Sequence, residues 1–397
     1  MIGKIRKKAI RYLDKVEFLY DLNARSIFFQ AITLLIIIVI AILVMNNISE
    51  NMAKANASFG FGFLNGRAGF QIDQGIVPYT NNSSYFMALI VGLCNTLTVA
   101  ILGIIPSTLI GILVGTGRLS SNKLVSWICR IFVEIFRNIP PLVVIFFWYK
   151  AVLSTLPGPH SSITLPFGIF LNNRGLSFPK LIIDTHAIIL LLALLLGIVL
   201  SVFVSKSVRK FHEKTGHYLP NFRIYTLLIL GLPIVVFYAG RLQLYFDTPK
   251  LGRFNFEGGA TISPEFISLY MALSFYTASF IAEIVRSGIS AVPRGQVEAA
   301  TALGLSSGQA ALLVIIPQAM RAIIPPLTSQ YLNLLKNSSL AVAVGFSDLV
   351  SVGGTILNQT GQAVEIVVIW MSVYFSLSII VSLFMNWFNA KVSLVER

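Results

Sequence analysis

Long apolar segments are the feature that most constrains the fold of this chain. A helix needs about 20 mostly apolar residues to cross the hydrocarbon core of a bilayer, and eight segments of the sequence approach this length. They cover residues 27–45, 84–115, 127–152, 187–204, 224–239, 265–285, 323–345 and 364–386. Only 12% of the residues are charged, which is about half the share found in soluble domains. We therefore predict an all-α, polytopic transmembrane helix bundle of about eight spans.

The basic residues indicate how these spans are oriented. The net charge of +14 would suggest a nucleic-acid partner in a soluble protein, but here the lysines and arginines lie between apolar segments. If the N-terminus is inside, 21 of them fall in inside segments and 7 in outside segments, as the positive-inside rule requires. We expect both termini in the cytoplasm, contact with membrane lipid and no nucleic-acid partner.

The segments predicted to lie outside are rich in Gly, Asn, Ser and Pro. They cover residues 46–83, 154–186 and 240–264. This composition is typical of turns and loops, so we expect them to be irregular.

Residues that could support catalysis or hold a cofactor are sparse. The sequence contains no Gly-x-x-x-x-Gly-Lys-Ser/Thr phosphate-binding loop. Its four histidines lack the spacing of a metal site, and Cys94 and Cys129 lie in or beside apolar segments, as small apolar side chains do. We predict that the chain is not an enzyme and binds no metal or cofactor of its own.

The inside loop between the sixth and seventh spans contains a predicted short helix. Pro293 ends the preceding helix, and a helix of about Gln296 to Leu303 follows. Gly304 can take the left-handed conformation that ends such a helix, and Ser306 or Ser307 can cap the next one. A small isolated helix is therefore expected at the cytoplasmic face.

This short helix has the composition of a docking element. Ala299 and Ala300 make it thin enough for a groove in a partner to accept it closely, and Glu298 supplies one charge for orientation. The alternative is a connector that lies in the membrane interface without a partner. Such helices usually carry basic residues and large apolar side chains, so the alanine-rich composition favours docking.

Here the sequence resembles a known family. Glu298-Ala299-Ala300, then Gly304 and Val314-Ile315-Ile316-Pro317, is similar to the EAA loop of ABC importer permeases, with Val314 where Ile is usual and Ile316 where Leu is usual. Residues 84–153 and 265–390 resemble polar amino-acid permeases of the histidine, glutamine and arginine type. The chain length and two extra central spans resemble the general L-amino-acid importers.

The resemblance implies a permease fold with a five-helix core and a role in ATP-driven import of polar or general L-amino acids across the bacterial inner membrane. It implies as partners a homologous second permease subunit, a cytoplasmic ATPase dimer that binds the ATP, and a periplasmic amino-acid-binding protein. Glu298, Ala299, Ala300 and Gly304 would couple the permease to the ATPase.

The alternative function is a secondary, ion-coupled amino-acid transporter. Such a protein would show inverted repeats and discontinuous helices around an ion site. The sequence shows neither this symmetry nor an acidic residue deep in a span.

The motifs divide the chain into four parts. Residues 1–83 hold a basic cytoplasmic N-terminus, the first span and an external loop, and residues 84–153 form the first part of the core. Residues 154–264 are an insertion with two extra spans. Residues 265–397 complete the core and contain the coupling loop 286–322.

Polar residues inside spans are candidates for the substrate path, because they are costly in lipid. Asn337, Ser338 and Ser339 lie in the seventh span, and Asn95 lies in the second. They could offer donors and acceptors to an amino-acid zwitterion. Hydrogen bonding between helices is an equally good explanation, so the sequence leaves both open.

Two further features concern the core helices. Glu134 and Arg137, and likewise Glu283 and Arg286, place a carboxylate and a guanidinium on one helix face. The two pairs either anchor their own helix ends, which we favour, or meet across the bundle. Pro140-Pro141 is predicted to bend the third span.

Overall fold

The computed structural model describes residues 22–54, 60–183, 185–215 and 225–392, most of which are helical. The helices are α1 (Leu22–Lys54), α2 (Tyr85–Gly117), α3 (Lys123–Asn138), α4 (Pro141–Phe146), α5 (Thr185–Thr215), α6 (Leu232–Ala239), α7 (Pro264–Ser290), α8 (Arg294–Ala302), α9 (Ser307–Ala310), α10 (Ile316–Asn337), α11 (Leu349–Thr360) and α12 (Ala363–Val392). A 3₁₀ turn, Ser338–Val344, extends α10. The predicted all-α membrane bundle is confirmed.

The described residues contain six helices that are long and apolar enough to span a membrane, or seven if α3 and α4 form one span. The fifth predicted span, at 224–239, is represented by an apolar helix over Leu227–Ala239, which is shorter than the about 20 residues a crossing requires. Its first part is the π-helical turn Leu227–Gly231. This turn ends two residues before Pro233, which has no N–H for a regular helical hydrogen bond.

The third predicted span is bent by 108° between α3 and the helical segment Pro141–Leu153. Ile139 is extended, with φ −99° and ψ 131°, because the residue before a proline avoids the helical region. Pro141 then starts α4, where its missing N–H removes no intrahelical hydrogen bond. The bend predicted at Pro140-Pro141 is confirmed.

Glycines in α2 allow this helix to lie directly against α7. A Cβ atom added to Gly115 would lie 2.6 Å from the carbonyl oxygen of Ala282, and one added to Gly111 would lie 2.5 Å from Cγ2 of Ile281. Small residues at such interfaces let helix backbones approach closely in a membrane. The α2–α7 pair is therefore fixed by backbone proximity.

Buried apolar clusters join the remaining core helices to this pair. Ile145 of α4 packs in a cluster with Leu273 of α7, and Ile324 of α10 and Met385 of α12 pack in a cluster with Ile281. The five-helix core thus consists of α2, the bent α3–α4 pair, α7, α10 and α12. The apolar segment of α1, in contrast, is not buried by any of the described residues.

The expectation of irregular loops is wrong for residues 154–186 and 240–264, which form β-structure. Its strands are β1 (Ile163–Leu165), β2 (Ile169–Asn172), β3 (Gly175–Phe178), β4 (Lys180–Leu181), β5 (Phe246–Asp247), β6 (Lys250–Leu251), β7 (Phe256–Glu257) and β8 (Ala260–Ile262). An antiparallel sheet has the order β1-β2-β3-β8, and β4–β5 and β6–β7 form separate pairs. Leu176 pairs with Ile262, and such long-range pairing leaves little local signal in the sequence.

Candidate functional site

The short helix α8 follows α7 directly and projects from one end of the bundle. It covers Arg294–Ala302, which is slightly earlier than the predicted 296–303. Gly304 has φ +77°, and the N–H of Gly304 donates to the carbonyl oxygen of Thr301 at 2.9 Å. The left-handed end predicted at Gly304 is confirmed. This turn ends α8 and separates it from α9.

One face of α8 is held against the bundle and the rest is free. Ala300 is buried, with 3% of its surface exposed, whereas Leu303 is 82% exposed. Glu298 and Ala299 are also exposed. Nε2 of Gln318 donates to Oε1 of Gln296 at 3.2 Å and so connects α10 to α8. The helix therefore presents a thin, partly apolar surface from a fixed base.

The segment after α8 is capped and then distorted. The Ser306 hydroxyl accepts from the Gln309 N–H, and the Gln309 side chain accepts from the Ser306 N–H, a reciprocal capping box. The predicted cap is thus Ser306. The expected disturbance near Pro317 is the π-helical turn Ala311–Ile315, because Pro317 cannot donate to the carbonyl four residues earlier.

An ionic cluster lies near the same end of α7. Oε1 of Glu283 accepts from Nη2 of Arg286 at 2.6 Å, and Oε2 of Glu283 contacts Nη1 of Arg118, just beyond α2. Arg137 at the end of α3 lies 3.9 Å from the same carboxylate. Glu283 and Arg286 therefore pair within their own helix, as we favoured. Arg137 of the other motif also approaches Glu283, so the two motifs meet across the bundle as well. Arg118 was not anticipated, because its partner lies far away in the sequence.

Asn95, a predicted path residue, connects two loops through its side chain. It is 4% exposed, and Nδ2 donates to the carbonyl oxygens of Gln74 and Ser347, both at 2.8 Å. These loops precede α2 and α11. Asn95 therefore holds the backbone at the end of the bundle opposite α8.

The other three path residues lie where α10 becomes a 3₁₀ turn. Ser338 is fully buried and its hydroxyl donates to the carbonyl oxygen of Leu335 at 2.6 Å, and Ser339 donates to Lys336 at 2.7 Å. The half-buried amide of Asn337 forms no hydrogen bond with the described residues. The structure thus places the three residues together and leaves Asn337 available.

Sequence comparisons agree with this arrangement. The family model for the binding-protein-dependent transport system inner membrane component matches residues 220–394. The chain is 56% identical to the general L-amino acid transport system permease protein AapQ of Rhizobium johnstonii, over 96% of this chain and 95% of the relative. It is 45% identical to the putative amino-acid ABC transporter permease protein YhdX of Escherichia coli, over 94% and 96%. The chain belongs to the permease family of amino-acid ABC importers. The comparisons give no support for a secondary transporter.

Another relative and one solved structure extend the comparison. The permease is 39% identical to the glutamate/glutamine/aspartate/asparagine transport system permease protein BztB of Rhodobacter capsulatus, over 96% of both chains. A crystal structure of an amino acid ABC transporter with histidines is 20% identical, with a TM-score of 0.46, over 77% of this chain and 95% of that one.

Two buried acidic residues of the permease were missed by the sequence analysis. Asp348 and Glu365 are both fully buried. Oδ1 of Asp348 accepts from the Ser351 N–H at 2.8 Å and caps α11, and burial raises the pKa of Asp348 to about 7. Oε1 of Glu365, in the first turn of α12, accepts from the Gly60 N–H at 3.0 Å. Glu365 lies at the start of its span and not deep within it, and an acid beside the N-terminus of a helix is favourable.

Proposed function

We propose that this permease imports L-amino acids of several side-chain classes. It does so as one of two permease subunits on a cytoplasmic ATPase dimer, which binds the ATP, and it receives substrates from a periplasmic amino-acid-binding protein. The names of two relatives support this range, because one is a general L-amino acid permease and the other a glutamate/glutamine/aspartate/asparagine permease.

The observation that carries the proposal is the exposed surface of α8 on a fixed base. Glu298 and Ala299 face outward and Leu303 is 82% exposed, so a cleft in an ATPase can enclose the helix. A helix that enters a groove is a common mode of recognition. On this proposal Glu298 and Ala299 contact the ATPase, Ala300 anchors α8 to the bundle, and Gly304 sets the turn.

The connections of α8 explain how a movement of the ATPase would reach the spans. Only residues 291–293 separate α8 from α7, and the Gln296–Gln318 hydrogen bond ties it to α10. Movement of α8 would therefore displace both core helices together. Closure of the ATPases would in this way switch the permease between inward- and outward-open states.

We place α8 and both termini in the cytoplasm of a bacterial inner-membrane protein. The charge bias of the sequence supports this orientation, and Arg118, Arg137 and Arg286 lie near the same end of α7 as α8. The basic segment 1–21 lies outside the described residues.

The proposed substrate path runs past the end of α10. The Asn337 amide bonds to none of the described residues, and Ser339 lies beside it where regular helical hydrogen bonding gives way to a 3₁₀ turn. Asn95 and Ser338 shape the backbone around this point. Polar groups at such a helix break can bind a zwitterion when they face a cavity.

Uptake into proteoliposomes tests the proposed function. The two permease subunits, the ATPase and the binding protein are reconstituted, and uptake of acidic, amide, basic and apolar L-amino acids is measured with ATP or with a cation gradient. We expect ATP-dependent uptake of several classes. Uptake of one class alone would contradict the broad specificity, and uptake driven by the gradient alone would contradict the ATP-driven mechanism.

A further inference from the structure

A polar cavity of about 640 Å³ lies at the end of α7 opposite α8. Since α7 has 27 residues and a helix rises 1.5 Å per residue, about 40 Å separates the two ends. The cavity lies within the range of about 300–1,000 Å³ that is typical of small-molecule sites. Its wall combines the core with the β-structure of the insertion, through residues such as Arg174 and Thr261.

Four charged side chains line this cavity without pairing with one another. Lys150 and Arg174 are basic, and Asp73 and Glu265 are acidic. Among the described residues none of the four forms an ion pair. The Tyr149 hydroxyl donates to Oε1 of Glu265 at 3.0 Å and fixes the position of that carboxylate. The cavity therefore holds two charges of each sign that are available to a ligand.

We propose that this cavity binds the zwitterionic α-amino group and α-carboxylate of a free amino acid before it enters the membrane path. Arg174 and Lys150 bind the carboxylate, and Glu265 and Asp73 bind the ammonium. A simple anion or cation would leave charges of one sign unmatched, whereas a zwitterion satisfies both. This assignment rests on the proposed function and gives the insertion a role in substrate binding.

Hydrogen bonds hold one wall of the cavity in place. The Ser263 hydroxyl donates to Oε1 of Gln74 at 3.1 Å, and Nε2 of Gln74 donates to the carbonyl oxygen of Thr261 at 3.3 Å. Asn95 donates to the carbonyl oxygens of both Gln74 and Ser347, which line the cavity. A pre-formed wall of this kind lowers the cost of ordering a site around its ligand.

The cavity also adjoins the proposed path. Gly345 and Ser347 line it and directly follow the 3₁₀ turn Ser338–Val344 that begins next to Asn337. An amino acid leaving the cavity along this turn would reach Asn337 and Ser339. The four cavity residues pair with the α-ammonium and the α-carboxylate, so they do not depend on a charge on the substrate's side chain. This fits a permease that carries amino acids of several side-chain classes.

Binding of radiolabelled L-glutamine to the assembled transporter in nanodiscs tests this assignment. The complex is used without binding protein and without ATP, and the competitors are glutaramate, which lacks the α-ammonium, and 4-aminobutanamide, which lacks the α-carboxylate. We expect saturable binding that each analogue displaces about tenfold less well than unlabelled glutamine. Arg174→Gln should weaken binding about tenfold or more, and Arg253→Gln, on an exposed cation of the same insertion outside the cavity, should not.

Three results would overturn the assignment. These are no binding to the wild-type complex, equal displacement by the analogues, and unchanged binding in Arg174→Gln. If Arg174→Gln does not assemble, Lys150→Gln takes its place, and unchanged binding in that variant would overturn the assignment in the same way. Reduced uptake by Arg174→Gln with normal binding of free glutamine would instead make the cavity a contact for the binding protein. ATP-driven uptake by the wild type is measured separately, so that a failure of this site is distinguished from a failure of the proposed function.

Discussion

Arg118 and Glu283 form an ion pair that joins the end of α2 to α7, close to the end of the bundle from which α8 projects. The arginine side chain is 13% exposed and the carboxylate side chain 27%, so water screens the pair only in part. Glu283 also binds Arg286 and approaches Arg137. A single carboxylate thus connects three core helices near the proposed contact with the ATPase.

Removing this carboxylate should destabilise the permease. Glu283→Gln leaves Arg118 and Arg286 without their charged acceptor, and we expect a loss of about 1–2 kcal/mol in the free energy of unfolding. The melting temperature of the purified complex in detergent measures this effect. Glu134→Gln is the matched control, because Glu134 occupies the same sequence motif but, among the described residues, its carboxylate accepts only from Asn138. Equal shifts for the two variants would show that the cluster adds no stability.

Gly304 should be needed for coupling and not for folding. A Cβ atom at Gly304 or at Gly308 would meet nothing within 4 Å, but only Gly304 has a positive φ. Gly304→Asp should therefore strain the turn and place a charge beside α8, with normal membrane insertion and loss of most ATP-driven uptake. Gly308→Asp adds the same charge without the strain, and it should retain uptake. Normal transport by Gly304→Asp would refute the role of the turn.

Two adjacent glycines of α11 should respond in opposite ways to alanine. A Cβ at Gly353 would collide with the indole of Trp370, whereas one at Gly354 would meet nothing within 4 Å. The indole is held by a 3.1 Å hydrogen bond from Nε1 to the carbonyl oxygen of Leu349. Gly353→Ala should lose about 1–3 kcal/mol in stability, and Gly354→Ala should be neutral or gain up to about 1 kcal/mol. Thermal unfolding of the two variants checks the difference, and similar values would contradict this packing.

Asp348 should make the stability of the permease depend on pH. Burial raises its pKa from 3.8 to about 7 in the folded protein, so the folded state holds a proton that the unfolded state has released between these values. The contribution of Asp348 to the free energy of unfolding is therefore fully present below about pH 4. It is lost as the pH rises towards 7, at up to about 1.4 kcal/mol per pH unit.

Asp348→Asn should remove this dependence and keep the cap, because an asparagine oxygen can also accept from Ser351. Melting temperatures between pH 4 and 8 measure it, with Asp73→Asn as an exposed control. If wild type and Asp348→Asn show the same dependence of melting temperature on pH, the pH dependence arises from other groups.

The features predicted from sequence are those with local causes. Gly304 and Ser306 end and begin helices through their own backbone and side-chain preferences, and Pro140 bends the third span for the same reason. Apolar length identifies most of the spans directly. These properties depend on neighbouring residues in the sequence, so they can be predicted from the sequence alone.

The features that were missed depend on contacts between distant segments. The pairing of Leu176 with Ile262 brings the insertion to the start of α7, and composition alone suggested an irregular loop. The cavity has walls from segments as distant as Asp73 and Ser347. Asn95 is buried because it bonds to two loops, at Gln74 and Ser347. Helical periodicity in the sequence does not show that these loops meet. Such groupings follow from the tertiary fold.

The most direct measurement of the coupling proposal is disulfide cross-linking of α8 to the ATPase in the assembled transporter. Leu303→Cys is introduced after Cys94 and Cys129 are replaced, and cysteines are placed along the cleft of the ATPase. Leu119→Cys is the control, on an exposed residue in the turn between α2 and α3. We predict that Leu303→Cys links to the ATPase efficiently and that the link blocks ATP-driven uptake until it is reduced. Failure of Leu303→Cys to link at any cleft position, or full transport with the link in place, would contradict the proposal that α8 transmits the movement of the ATPase.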